Sequence, residues 1–319
     1  MKVVALLPFK NEAWILPAYL SSVAPVVDEI VGIDDGSVDD SRALIEAAGA
    51  FVQAARPGGD WETHWGWIRE DMLRVGRERG GTHFVCLDAD EALTAPARTH
   101  LRAALAALAP GEKVQMQWLA LWKDPGAYRD DDSVWSDNHK DFAFADAPGL
   151  SFEGQWPHRI GRTPGSNDPA LLKRLPPRQG AVLHYQFVPW SRFQVKQAWY
   201  RCAELIRAPE KAYDINAMYA HSLDDRSART TRIPAEWLAG IDVPVGIAEL
   251  SPTWHREEML GWFDEQGTAF FEPLQIWHVD ELHERFLREV GREPVPLTRL
   301  PIGERLRRAA CARLPIGRG

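Results

Sequence analysis

The chain has 319 residues, 37 basic and 45 acidic, and the net charge of −8 disfavours a nucleic-acid partner, which needs a basic patch. Hydrophobic residues make up 45 % of the sequence, enough for a packed core, and no run is long and apolar enough to be a membrane span. The three cysteines, Cys86, Cys202 and Cys311, show neither metal spacing nor a disulfide framework, which suits a reducing cytoplasm.

The first predicted element is the apolar strand at 2–7, closed by Pro8 and opening through Phe9-Lys-Asn-Glu12 into a helix at 12–23. It leaves no room for the basic and then apolar pattern of a secretion signal. Residues 29–34 form a second apolar strand that ends in Asp34 and Asp35, followed by a Gly36-Ser37 turn and a helix at 39–48. A helix at 63–79 carries Arg69 and leads into the strand Phe84-Val-Cys-Leu-Asp-Ala-Asp-Glu91, an apolar run ending in carboxylates. A helix at 98–108 and a strand at 114–122 complete an alternation that implies a parallel sheet. In such sheets ligands collect where strands stop. Side chains alternate along extended chain, so Asp88 and Asp90 are expected to point the same way and share one hard divalent cation.

The elements Pro8-Phe-Lys-Asn-Glu12, Asp34-Asp-Gly-Ser37, Arg69 and Asp88-Ala-Asp-Glu91 have the order and spacing found in family-two glycosyltransferases, and over its first third the chain resembles that family. The resemblance implies a GT-A fold: an α/β chain with a single Rossmann-like, mostly parallel sheet flanked by helices, here with a helical C-terminal extension. It also implies metal-dependent transfer of a sugar from a UDP- or dTDP-sugar to the hydroxyl of a saccharide or other acceptor, with inversion. In this reading Asp90 binds Mn²⁺ or Mg²⁺ directly, while Asp88 is a second ligand or a ribose contact. Asp35 accepts the imide hydrogen of the base, Pro8 and Phe9 touch its ring, and Asn11 and Glu12 anchor the loop. Arg69 meets the diphosphate or positions the Asp88 loop; the family follows this Arg with Asn, and here Glu70 stands instead.

Residues 123–178 are rich in turn signals, such as Asp124-Pro-Gly and Pro176-Pro177, and are read as a long acceptor-side loop region. The strand at 182–187 then carries His184, which matches the segment where several family members place a further metal-ligating His; imidazole favours Mn²⁺. Helices are expected at 192–207 and 279–289. The domains implied are a catalytic one at 1–190, split into a nucleotide-sugar half (1–125) and an acceptor half (126–190), and a mainly helical region at 191–319. The basic C-terminal segment, which repeats Arg-Leu-Pro-Ile-Gly from Arg299 and Arg313, offers weak peripheral contact with anionic lipid.

The general base has the weakest signature. Where relatives carry His-Glu, His158 is followed by Arg159, so Glu153 is the first candidate, with Asp146 and Asp141 behind it. Trp118, Trp122, Trp135, Trp156 and Trp190, among 14 tryptophans, bracket this region as a saccharide platform, although most tryptophans belong in a core. Each feature has a plainer reading: a solvated turn for Asp88-Ala-Asp90, a helix-capping turn for Asp34-Asp35, a surface Arg69, a core His184. Two other functions share parts of the pattern. A haloacid-dehalogenase-like phosphohydrolase would use Asp88 as nucleophile, and a catalytically silent sugar-binding protein would keep the fold without turnover.

Overall fold

The computed structural model describes residues 1–299 other than 59–60, 134, 137, 153–161, 167 and 250–253. The described chain forms two compact units. The first is Met1–Pro189 with Ala228–Glu249, the second Trp190–Ser227 with the described residues from 254 onward. Residues 228–249, expected in the helical C-terminal region, return to the first unit.

The first unit is α/β. Its elements run β1 (Val3–Phe9), α1 (Leu16–Val23), β2 (Glu29–Asp34), α2 (Ser41–Ala47), β3 (Phe51–Ala54), α3 (Trp61–Glu78), β4 (His83–Cys86), β5 (Glu91–Leu93), α4 (Ala95–Ala106), β6 (Lys113–Ala120), β7 (Ala127–Arg129), β8 (His139–Ala145), β9 (Leu172–Arg174) and β10 (Ala181–His184). The sheet order is β3-β2-β1-β4-β8-β6-β10-β5, with β9 also on β6. Strands β3, β2, β1 and β4 are mutually parallel, β8 is antiparallel to both β4 and β6, and β5 is antiparallel to β10.

Every residue of β1 is buried, as befits a central parallel strand covered on both faces. Helix α3 covers one face, where Ile68, Met72, Leu73 and Val75 pack with Val4, Leu6, Val31, Ile33, Phe84 and Cys86. Helices α1 and α4 pack against β5, β8 and β10. Pro8 lies beyond the last β1–β4 pair, Leu6 with Cys86, so the donor it lacks costs that ladder nothing. Past that pair β1 and β4 are no longer paired, and in open α/β sheets this C-terminal end of neighbouring strands is where ligands collect.

The 123–178 stretch is not all loop: it contains β7, β8 and β9. The turn dipeptides masked β8, whose last four residues, Phe142-Ala-Phe-Ala145, are buried between β4 and β6. A strand buried on both faces reads as a continuous apolar run and gives no alternation. The expected strand at 182–187 stops at His184, and Tyr185–Phe187 form a 3₁₀ turn.

In the second unit, α5 (Trp190–Arg207) and α6 (Ala212–Met218) precede the return of the chain to the first unit, where β11 (Thr230–Arg232) pairs with β7. The second unit resumes with α7 (Trp254–Gln266) and α8 (Asp280–Val290). Trp199 on α5 stacks on Trp262 at 5.8 Å and donates its indole N–H to Glu258 at 2.8 Å, fastening α5 to α7. Among the described residues no helix is long and apolar enough to cross a membrane. The basic C-terminal segment beyond 299 lies outside the described residues.

Candidate active site

Two loops follow the C-terminal ends of β1 and β2. Gly36 has φ +77°, a left-handed value that suits glycine, and Asn11 also takes positive φ at 54°. Asn11 stitches the loops together: its N–H donates to Ser37 Oγ (3.0 Å) and its Oδ1 accepts from Val38 N (2.7 Å). Glu12 N–H donates to Ser41 Oγ (2.7 Å), and the Glu12 carboxylate accepts from Trp14 Nε1. The two acids of Asp34-Asp35 divide the work. Asp34 is buried and its Oδ1 accepts the Ser37 N–H at 2.8 Å, which builds the turn. Asp35 faces outward to His64, whose Nε2 lies 2.6 Å from Asp35 Oδ1.

Phe9 corrects an expectation. Rather than offering its ring to a ligand, it is buried, with the ring 3.0 Å from where a Cβ on Gly32 would stand. Its carbonyl accepts the Asp35 N–H at 2.9 Å and so aims that residue.

The acidic segment after β4 corrects another. Glu91 N–H donates to the Asp88 carbonyl at 3.0 Å, so residues 88–91 form a turn and not an extended strand end. Asp88 and Asp90 therefore face different partners. Asp88 holds Arg69 Nη2 at 3.2 Å on Oδ1 and Arg162 Nη2 at 3.1 Å on Oδ2. Burial works against its charge and the two guanidiniums more than cancel that, so its pKa is held below the usual carboxylate range. Its side chain is still 36 % exposed, enough to admit a ligand. Asp90 is buried and turns to His184, with Nε2 3.4 Å from Oδ1.

Glu91 is fully buried at the centre of the site. It accepts from Trp118 Nε1 (2.7 Å) and from Asp88 N (2.9 Å), and it pairs with Arg162. A buried carboxylate this well satisfied holds the turn rigid. The antiparallel register places Glu91 opposite His184, with Leu183 opposite Ala92, and thereby brings Asp90 to His184. Trp118 packs against the His184 ring, with centroids 4.5 Å apart and planes tilted by 33°, and Lys140 Nζ lies 3.4 Å from the Trp118 ring centroid. Trp118 and Trp122 are buried, so these two belong to the core and not to an exposed platform.

Among the described residues no three His, Cys, Asp or Glu side chains converge to hold a metal, because Asp88 is turned to its arginines. The Asp90–His184 pair nevertheless fits a divalent cation. Two ligands at about 2.1 Å from one ion lie roughly 3–3.5 Å apart, which matches their separation. The other imidazole nitrogen, Nδ1, is buried without a hydrogen-bond partner. Asp90, Asp88 and His184 would hold the ion, with Asp88 released from one arginine.

Asp146 lies elsewhere. Its carboxylate is gripped by Arg77 Nε (2.9 Å) and Nη2 (2.7 Å), and its N–H donates to the Thr82 carbonyl just before β4 begins. Asp88 follows the other end of β4, roughly 15–20 Å away along an extended chain. Asp141, on β8, accepts from Gln115 and lies 3.9 Å from the buried Lys113 ammonium. Glu153 falls outside the described residues, as do Trp156, His158 and Arg159. The chain leading to it is held by Glu70, which accepts the Phe152 N–H, and this gives a reason for Glu after Arg69.

Sequence reasoning missed His64, Arg162 and Lys140, and gave Glu91 no role. His64 had a signal: it sits four residues before Ile68 and eight before Met72, on the stripe of α3 that packs on the sheet. Arg162 had none, for it comes from a loop with no period.

No family model matches the chain. A TPR repeat-containing protein of Synechococcus elongatus is 34 % identical over 96 residues, which are 30 % of this chain and 22 % of that protein. The chain thus spans about a fifth of the length of that curated relative. Among solved structures, a mycobacterial protein shows 23 % identity over 39 % of this chain and 42 % of its own, with a TM-score of 0.29. Glucosyl-3-phosphoglycerate synthase from Mycobacterium tuberculosis, in complex with Mn²⁺, UDP and glucosyl-3-phosphoglycerate, shows 22 % identity over 37 % of this chain and 44 % of its own, with a TM-score of 0.28.

Proposed function

We propose that the chain is a metal-dependent glycosyltransferase of GT-A type that uses a UDP- or dTDP-sugar and transfers to an acceptor hydroxyl with inversion. The observation that carries this reading is the meeting, at one end of the sheet, of Asp35 beyond β2, the Asp88–Glu91 turn beyond β4 and His184 at the end of β10, with Asp90 and His184 3.4 Å apart. Asp35, acceptor-only when ionised, suits the imide N–H of uracil or thymine, and His64 holds one of its oxygens in place. Arg69 and Arg162 offer planar N–H donors to a diphosphate. A bound Mn²⁺ or Mg²⁺ would act as Lewis acid on the departing diphosphate. Asp88 is poorly suited to nucleophilic attack, since guanidiniums hold both of its oxygens, and this disfavours the phosphohydrolase alternative.

Calorimetric titration with UDP, with and without Mn²⁺, tests the donor half. We expect metal-dependent binding that Asp90→Ala abolishes; no binding by the native chain, or binding unchanged in the variant, would refute the reading. Glu153 is the proposed base, because Asp146 is engaged with Arg77 at the far end of β4. Glu153→Gln is expected to leave UDP affinity intact and to lower transfer by about 10²–10⁴-fold, the usual worth of general-base catalysis. A fully active variant would remove Glu153 from that role.

A further inference from the structure

Asp35 stands just past the last β1–β2 pair, Phe9 with Asp34, and two contacts fix it there. Its N–H donates to the Phe9 carbonyl at 2.9 Å, and its Oδ1 lies 2.6 Å from His64 Nε2. An ionised carboxylate can only accept, so the hydrogen in that contact belongs to the imidazole. The other ring nitrogen, Nδ1, lies 3.3 Å from the Gly58 carbonyl, so the ring is held from both sides. His64 is carried by α3, whose Ile68 and Met72 are buried against the sheet, and a side chain on such an element is placed more exactly than one on a loop. The side chains of Asp35 and His64 are 19 % and 21 % exposed, so a ligand can reach the pair. Among the described residues nothing bonds the second oxygen of Asp35, Oδ2.

The carboxylate is thus reduced to one free acceptor, and nucleobases differ in what they offer it. Uracil and thymine carry a single ring N–H between two carbonyls. Guanine carries a ring N–H beside an amino group, a fork that needs both oxygens of a carboxylate. We propose that His64 is a specificity-determining residue of the donor site: by occupying one oxygen of Asp35 it leaves a single acceptor, matched to the one imide N–H of uracil or thymine and mismatched to the two-donor edge of guanine. This rests on the donor reading above and adds a choice among nucleotides that Asp35 with both oxygens free would not make. His64 acts through Asp35 and is a positioning residue.

The test is calorimetric titration of the full chain with UDP and with GDP at one fixed Mn²⁺ concentration. It compares the native protein with His64→Phe and His64→Gln, each checked for its fold by circular dichroism. Phe keeps a flat ring on α3 and removes the N–H, whereas Gln keeps a side-chain N–H of similar reach. The native chain should bind UDP more tightly than GDP by about tenfold or more, the worth of one hydrogen bond to a charged group. His64→Phe should shift the ratio of the two affinities towards GDP by on the order of tenfold, and His64→Gln should restore most of the native ratio. A native chain that binds both nucleotides equally overturns the proposal without any variant. So does a His64→Phe chain that weakens both alike, keeps the native ratio or still shows no GDP binding, since a residue that only supports the fold would do the same. A His64→Gln chain that discriminates no better than His64→Phe overturns it too. In all these cases metal-dependent UDP binding by the native chain leaves the donor reading standing, whereas a native chain that binds no UDP refutes that reading itself.

Discussion

Lys140 shows how neighbours set the chemistry of a single side chain. Burial disfavours its charge, the Arg162 guanidinium adds to this, and Glu91, Asp88 and Asp90 resist only in part, so the ammonium is lowered to about 8. Most lysines titrate above 10. Because the folded value lies below the unfolded one, the fold is penalised while Lys140 carries its proton, below pH 8, and the penalty is relieved as the pH rises towards 10.5. Competitive labelling of amines by an acylating reagent should therefore find Lys140 becoming reactive with a midpoint near pH 8, ahead of the exposed lysines. A midpoint above 10 would show that the field described here is wrong. The same neighbourhood argument separates Asp34 from Asp35. The two are adjacent and chemically identical, yet one builds a turn and the other holds His64. Sequence supplied both residue types, but their division of labour depends on which side chain the turn buries.

At the scale of elements, β10 matters because it ends at His184. Its alignment is set by Gly180, where an added Cβ would lie 2.6 Å from Ala97 Cα on α4. Backbone cannot give way as a flexible side chain can. Gly180→Ala is therefore expected to cost about 1–3 kcal/mol in urea denaturation, typical of overpacking. Gly261, inside α7 with open space around it, is the control: Ala there should stabilise by up to about 1 kcal/mol through helix propensity. Equal effects at the two positions would contradict the packing described at α4. Strands β1, β2 and β4 were legible because each is a compact, mostly apolar run with clear boundaries, and β6 because Val114, Met116 and Trp118 alternate with Gln115 and Gln117. Strand β8 was not, since the turn dipeptides around it spoke louder than its own short run. The turn at 88–91 was misread for a different reason: the end of an apolar run marks the neighbourhood in which a strand leaves the sheet, and the hydrogen bond from Glu91 N–H to the Asp88 carbonyl fixes the departure.

At the scale of the whole molecule, the donor side of the proposed site could be read from order and spacing because its parts follow short strand–helix repeats, each placing its acids at the same end of the sheet. Arg162 and Lys140 could not. They arrive by long connections, and no local period says where such a connection ends. The return of 228–249 to the first unit was equally hidden, since it shows only in contacts distant in sequence, such as the pairing of β11 with β7 and the Asp242 N–H donated to Ser21 Oγ. The junction of β5 with β10 has a kinetic meaning as well. Thr94 and Ala181, 87 residues apart in sequence, exchange hydrogen bonds there, and together with the Tyr185 N–H donated to the Asp90 carbonyl they hold the Asp90 turn against β10. Closing so long a stretch of chain is slow relative to forming helices and neighbouring strands. A nascent chain would thus bury much of β1, β2 and β4 while Asp90 and His184 are still apart, so the proposed site would be among the last parts of the first unit to form.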